Sequence, residues 1–223
     1  MAIFVTGDTH RDKDIAKLEA FDRSRTFMKE DLLIVCGDFG AVWNDGADER
    51  IIAGWERRPY SVAFVDGNHE NHTALNQYDV QTWNGGWVHE IAPHVRHLMR
   101  GQVFELEGKR FFTFGGAETT DRERRTSGSS WWAEEMPNKK EMFFAEHNLE
   151  KAGWHVDYVI THCLTEKGQQ VLGLNTKDRN ALTDFLGKLE DKLAFEHWFC
   201  GHYHADLTSE KYTVLYQNVL RII

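Results

Sequence analysis

Proline and cysteine are scarce in this chain of 223 residues, at three each. Cys36, Cys163 and Cys200 are an odd number without framework spacing, which excludes a disulfide-built scaffold and points to thiols in a reducing, cytoplasmic compartment. Long apolar runs are absent. The driest stretches, such as Leu32–Cys36, are strand-sized and far short of the ~18–20 residues that cross a bilayer. The mean hydropathy is −0.54. Ala2–Thr6 lacks a basic lead and runs straight into Gly7-Asp8, so no secretory segment is expected. Positive charge is in deficit: 26 Lys and Arg stand against 35 Asp and Glu, a net charge of −9. That balance excludes binding of duplex nucleic acid by bulk attraction. No Ser/Gly-rich linker or low-complexity block interrupts the chain, and at ~150 residues per domain its length is read as one domain over residues 1–223.

Histidine and tryptophan are plentiful, at twelve and eight. Short apolar runs bounded by Gly, Asp or Asn recur and read as strands: Ala2–Thr6, Leu32–Cys36, Ser61–Asp66, Arg110–Phe114, Asp157–Thr161, His197–Cys200 and Tyr212–Gln217. Val103–Leu106, Gly108-Lys109 and Arg110–Phe114 read as a hairpin. Helical spacing joins Ile15, Leu18 and Phe21, then Ile51, Ile52 and Trp55, then Met142, Phe143 and Leu149 after Asn138. A last helix carries Leu182, Phe185, Leu186, Leu189 and Leu193, with its cap expected near Thr176. The order predicts an α/β protein with a largely parallel start and antiparallel additions.

Polar groups follow the carboxyl ends of these strands. They are Gly7-Asp8-Thr9-His10, Gly37-Asp38-Phe39-Gly40, Gly67-Asn68-His69-Glu70, His162, and Gly201-His202-Tyr203-His204. Ligands of open α/β sheets bind at that end. Asp8, Asp38 and Asn68 are spaced by 30 residues each, close to the ~30 residues of one βαβ unit. Neighbouring strands would therefore bring them side by side. Carboxylate with imidazole suits first-row divalent metals such as Mn, Fe, Zn or Ni. Asp8 with His10, and His202 with His204, can each turn two ligands toward one ion. The set Asp8, His10, Asp38, Asn68, His162, His202 and His204 exceeds the needs of one ion and suits two, with Asp38 on the middle strand placed to bridge.

Taken in order from residue 8 to residue 204, these motifs resemble the signature of the calcineurin-like metallophosphoesterases. The resemblance implies a fold of two facing mixed β-sheets flanked by helices, a four-layer αββα sandwich. It implies that Asp8, His10 and His204 hold a first divalent ion, that Asn68, His162 and His202 hold a second, and that Asp38 bridges. It casts His69 as the histidine that meets the phosphoryl oxygen or the leaving group. The implied reaction is hydrolysis of a phosphomonoester or phosphodiester of a small or nucleotide-like substrate by a hydroxide between two ions, Mn²⁺ foremost. Ala41 departs from the pattern, because many relatives place there an aspartate that orients the catalytic histidine. Asp45 and Asp66 are the substitutes the sequence offers. Gly40-Ala41-Val42-Trp43 also lacks the arginine of protein Ser/Thr phosphatases.

Three other readings stand beside this one. A Ser/Thr protein phosphatase predicts the missing arginines, a nuclease predicts a basic groove, and a non-catalytic interaction module predicts lost ligands. Glu70 reads as a helix N-terminal carboxylate or a hydrogen-bond acceptor behind the ligands. His72, His89, His94, His97, His147, His155 and His197 read as surface or packing residues. The long loop at 118–137 carries Arg122, Arg124, Arg125, Gly128, Trp131 and Trp132. It reads as a substrate flap hinged near Gly128, with Arg125 for phosphate and Trp132 for a base or aryl group.

Overall fold

The computed structural model describes residues 1–174 and 179–223. Three short apolar strands open the chain: β1 (Ile3–Thr6), β2 (Leu32–Cys36) and β3 (Ser61–Val65). Between them lie α1 (Ala16–Arg23) and α2 (Asp48–Glu56). A short α3 (His72–Leu75) leads into β4 (Val80–Trp83), β5 (Gly86–Ala92) and β6 (Val95–Leu98). The hairpin of β7 (Gln102–Leu106) and β8 (Lys109–Phe114) follows, then α4 (Lys139–Lys151), β9 (Tyr158–Thr161), α5 (Glu166–Val171) and α6 (Ala181–Glu190). The chain closes with β10 (His197–Cys200), β11 (Leu207–Thr208), β12 (Tyr212–Val214) and β13 (Leu220–Arg221).

Two mixed sheets result, in the orders β13-β1-β2-β3-β6-β5-β4 and β11-β12-β10-β9-β8-β7. In β2 the side chains of Leu32, Ile34 and Cys36 enter the layer between the sheets, with Ile3, Val5, Phe104, Phe111, Ile160 and Phe199. Leu33 and Val35 point the other way, to Leu18, Ile51 and Trp55 of the covering helices. On the far side, Phe112, Val159 and Trp198 pack on Ala145, Leu149, Leu182 and Leu186. The four layers are thus helix, sheet, sheet, helix. A strand buried on both faces reads as a continuous apolar run rather than an alternating one, and LLIVC is such a run.

The hairpin turn sits one residue earlier than expected. Leu106 pairs with Lys109, so Glu107 and Gly108 are the turn, both at positive φ (50° and 73°). That is the type I′ geometry whose twist suits a two-residue hairpin. Asn138 caps α4 by accepting from the Lys140 and Glu141 amides, while Glu141 reaches back to the Asn138 amide. On α6 the cap is Asn180; the expected cap near Thr176 lies outside the described residues. No described helix is long and apolar enough to cross a membrane.

Candidate active site

The strand register decides which residues meet. β1 pairs in parallel with β2, Ile3 opposite Leu32, and β2 pairs with β3, Leu32 opposite Ser61. Residues about 30 apart therefore emerge together at the carboxyl rim, and the rim receives Asp8, Asp38 and Asn68. β9 and β10, also parallel, bring His162, His202 and His204 from the second sheet. Asp8, Asp38, Asn68 and His162 are buried, His10 and His202 half-buried, and His204 exposed. Asp8, His10, Asp38, His202 and His204 all have positive φ (48°, 42°, 48°, 70° and 47°). Non-glycine residues in this region cost of order 1–3 kcal/mol each and persist where the surroundings over-determine them. A Cβ at Gly67 would overlap Asp38 Oδ1 and reach 2.8 Å from His162 Nε2, so only glycine lets the β3 loop approach so closely.

Asp38 stands at the centre, with one oxygen for each side. Its Oδ2 lies 3.1 Å from His10 Nε2. Its Oδ1 lies 3.2 Å from His162 Nε2, which in turn is 3.2 Å from Asn68 Oδ1. One ligand atom each from Asp8, His10, Asp38 and His204 all lie within 4.8 Å of one another. His202 stacks edge-on to His162 at 4.9 Å, and its amide donates to both Asp8 oxygens at 3.0 Å.

The donor set fits divalent cations. His10 turns Nδ1 to Asp14 Oδ2 at 2.7 Å, and His162 turns Nδ1 to the Cys36 carbonyl at 2.9 Å. With Nδ1 engaged outward, each ring turns Nε2 inward, the nitrogen a metal would take up in place of a proton. Charge agrees. Burial, reinforced by Asp38, raises Asp8 to about 7. Burial works against protonation of His162, yet Asp38 outweighs it and holds that ring near 9. Against the effect of burial, Asp38 itself is held well below the usual carboxylate range by His162 and His10, so the acidic pair draws positive charge to this point, where cations would sit.

The calcineurin-like phosphoesterase family model matches residues 1–206. The chain belongs to the calcineurin-like phosphoesterases. It is 32% identical to the lariat debranching enzyme of Gallus gallus over 134 residues, 52% of this chain and 23% of that enzyme. It is 29% identical to the lariat debranching enzyme of Danio rerio over 133 residues, 52% of this chain and 22% of that protein. The aligned region is thus under a quarter of the length of these relatives. A solved candidate 5′-nucleotidase from Staphylococcus aureus has a similar fold, with a TM-score of 0.53 at 14% identity, over 96% of this chain and 48% of that one.

Within this calcineurin-like frame, His69 donates its amide to Asp38 Oδ1 at 2.8 Å and packs its ring 5.1 Å from His10. Burial lowers its pKa below the usual histidine value, with His10 and Arg125 adding to the effect and Asp38 opposing it. Ala41 is fully buried, and neither substitute carboxylate reaches the ring. Asp45 is bound to Arg11 at 2.6 and 2.8 Å. Asp66 is bound to His97 at 3.1 Å and to Arg100 Nε at 3.0 Å. Glu70 is an acceptor behind the ligands: its carboxylate takes the Phe39 amide at 2.8 Å and the Gly40 amide at 3.0 Å, fixing the loop that carries Asp38.

Sequence reasoning missed Lys17. From the first turn of α1 its ammonium donates to the carbonyls of Gly7, Asp8 and Tyr216. The Tyr216 ring stacks on His204 at 4.7 Å. Lys17 is invisible in one dimension, because a helical lysine reads as a solvated charge. Side chains of the 118–137 loop pack against the body of the protein. Trp132 is 4% exposed and packs edge-on to Trp43 at 5.3 Å, so the open indole face expected there is turned inward. Arg125 is half-buried, with Nε on Asp121 at 2.6 Å. His97 and His72 pack around buried Asp66, and His89 packs on His97.

Proposed function

We propose that this protein hydrolyses phosphodiesters in small or nucleotide-like substrates, with two divalent ions, Mn²⁺ first and Fe, Zn or Ni as alternatives. The observation that carries the reading is Asp38, whose two oxygens face two separate donor groups. Asp8, His10 and His204 would hold one ion, and Asn68, His162 and His202 the other. Bound ions of this kind supply Lewis acidity toward phosphoryl oxygens and bring the pKa of a water to ~7. The protein's own groups do the rest. Asp38 keeps both donor sets in register. His69, a neutral imidazole because of its lowered pKa, presents a ring N–H to the phosphoryl or leaving oxygen. Arg125, whose charge is felt at His69, offers a positive edge to the phosphate.

A phosphoprotein is disfavoured because residues 40–43 supply no arginine. A non-catalytic module is disfavoured because the ligand set is complete. The buried thiols of Cys36, Cys163 and Cys200 support a reducing, cytoplasmic setting.

The test is a hydrolysis panel with Mn²⁺: bis(p-nitrophenyl) phosphate, p-nitrophenyl phosphate, a cyclic nucleotide and a phosphopeptide. The expected result is turnover of the diester, abolished by chelation and restored by Mn²⁺. Preference for the phosphopeptide would favour a protein phosphatase, and no turnover of any ester by folded, Mn-loaded protein would overturn the reading.

A further inference from the structure

Three arginines in the 118–137 loop are placed differently. Arg124 is 81% exposed and lies 3.9 Å from Glu123. Arg125 is tied to Asp121 on the side of the loop whose charges act on His69. Arg122 sits over Trp131, with its guanidinium carbon 4.6 Å from the ring centroid. One edge of that guanidinium is engaged by Glu118 at 3.1 Å and approached by Glu135 at 3.7 Å. The side chain is still 44% exposed.

The support beneath this pair is built. The Trp131 indole N–H donates to Glu135 Oε1 at 2.7 Å. Glu135 is fully buried and also accepts the Thr119 amide at 2.9 Å and the Thr119 hydroxyl at 2.5 Å. Arg100 grips the same segment from below, donating to the Glu134 and Glu135 carbonyls at 2.9 and 3.2 Å. Arg100 is bound in turn to Asp66, which immediately precedes Gly67-Asn68-His69. A chain of satisfied, buried groups therefore runs from the His69 loop to the underside of Trp131.

A guanidinium with one face on an indole and its charge matched by carboxylates is a poor phosphate clamp, but its outer face is a flat cation ready to stack on a π system. We propose that Arg122, backed by Trp131, is a stacking platform for an aromatic group, a nucleobase or aryl ring, carried by the phosphoester bound beside His69. This rests on the phosphoesterase reading and narrows its substrate class to esters bearing a ring. It also moves the aromatic contact from Trp132, which packs inward, to its neighbour.

The experiment is calorimetric titration of Mn-loaded protein with AMP and with ribose 5-phosphate, which differ by the base. Wild type is compared with Arg122→Met, which removes the plane and the charge, and Arg122→Lys, which keeps the charge alone. The platform predicts that both variants lose about tenfold in AMP affinity, within the range of base stacking on a protein surface. Ribose 5-phosphate binding and the melting temperature are expected to stay as in wild type. Restoration of AMP binding by lysine, or equal losses for both ligands, would reassign Arg122 to phosphate and overturn the proposal. Wild type that binds AMP no tighter than ribose 5-phosphate would also overturn it, while turnover of bis(p-nitrophenyl) phosphate would leave the phosphodiesterase reading standing.

Discussion

Lys17 and Tyr216 are joined twice: the lysine ammonium donates to the tyrosine carbonyl and lies 5.4 Å from the centre of its ring. The two residues are 199 positions apart. Through them the Asp8 loop and the ring that stacks on His204 become one unit, so the half-buried ammonium shapes one side of the candidate ligand rim. Burial brings its pKa down to about 8, against the pull of Asp8 and Asp14.

Lys17→Met leaves the Gly7, Asp8 and Tyr216 carbonyls without this donor. At ~1–3 kcal/mol for a buried group left unsatisfied, the variant is expected to lose roughly that much stability. It is also expected to weaken the ion held by Asp8, His10 and His204 more than the other. Calorimetric Mn²⁺ titration would show one of two affinities falling by about tenfold or more. Two affinities falling together would mean that Lys17 supports the fold without favouring either side of the rim.

Glu70 carries a prediction of a different kind. Its carboxylate satisfies the Phe39 and Gly40 amides, and removal orphans two buried donors beside Asp38. Glu70→Ala is expected to cost ~2–4 kcal/mol and Glu70→Gln less, because the glutamine carbonyl still accepts one amide. Denaturant unfolding of the two variants checks the order.

The acid limb of stability reports on His72. Burial holds its pKa at about 4, with Arg100 and His97 adding to that and Asp66 opposing it. The unfolded chain protonates this ring near 6.5, before the folded protein does. Above that pH both states are neutral and the full stability is present. As pH falls from 6.5 toward 4 the unfolded state alone takes the proton, and up to ~3 kcal/mol is lost. His72→Gln is therefore expected to show a shallower fall in melting temperature over that interval than wild type. Parallel curves would place the ring outside the linkage.

The ligand rim was legible in the sequence because its residues follow apolar runs that bury both faces, such as Leu32–Cys36 and His197–Cys200, whose bounds were read as they stand. β4, β5 and β6 were not. Val80, Gln81 and Thr82 form an exposed outer edge, and His89 and His97 are buried polar residues inside strands, which break the apolar pattern. The four-layer architecture came from the family resemblance, since strand order alone does not say that the chain divides into two sheets. Lys17, the anchoring of Glu135 and the inward turn of Trp132 depend on contacts between distant segments, and no local spacing encodes those.

The central claim is that Asp38 serves two ions at once, and elemental analysis of Mn-soaked, desalted protein tests it most directly. Wild type is expected to hold two divalent ions per chain, with His204→Ala losing one and Asp38→Asn, which removes the shared charge between His10 and His162, weakening both. One ion or none in folded wild type at excess Mn²⁺, or an Asp38→Asn variant that keeps both, would contradict the account.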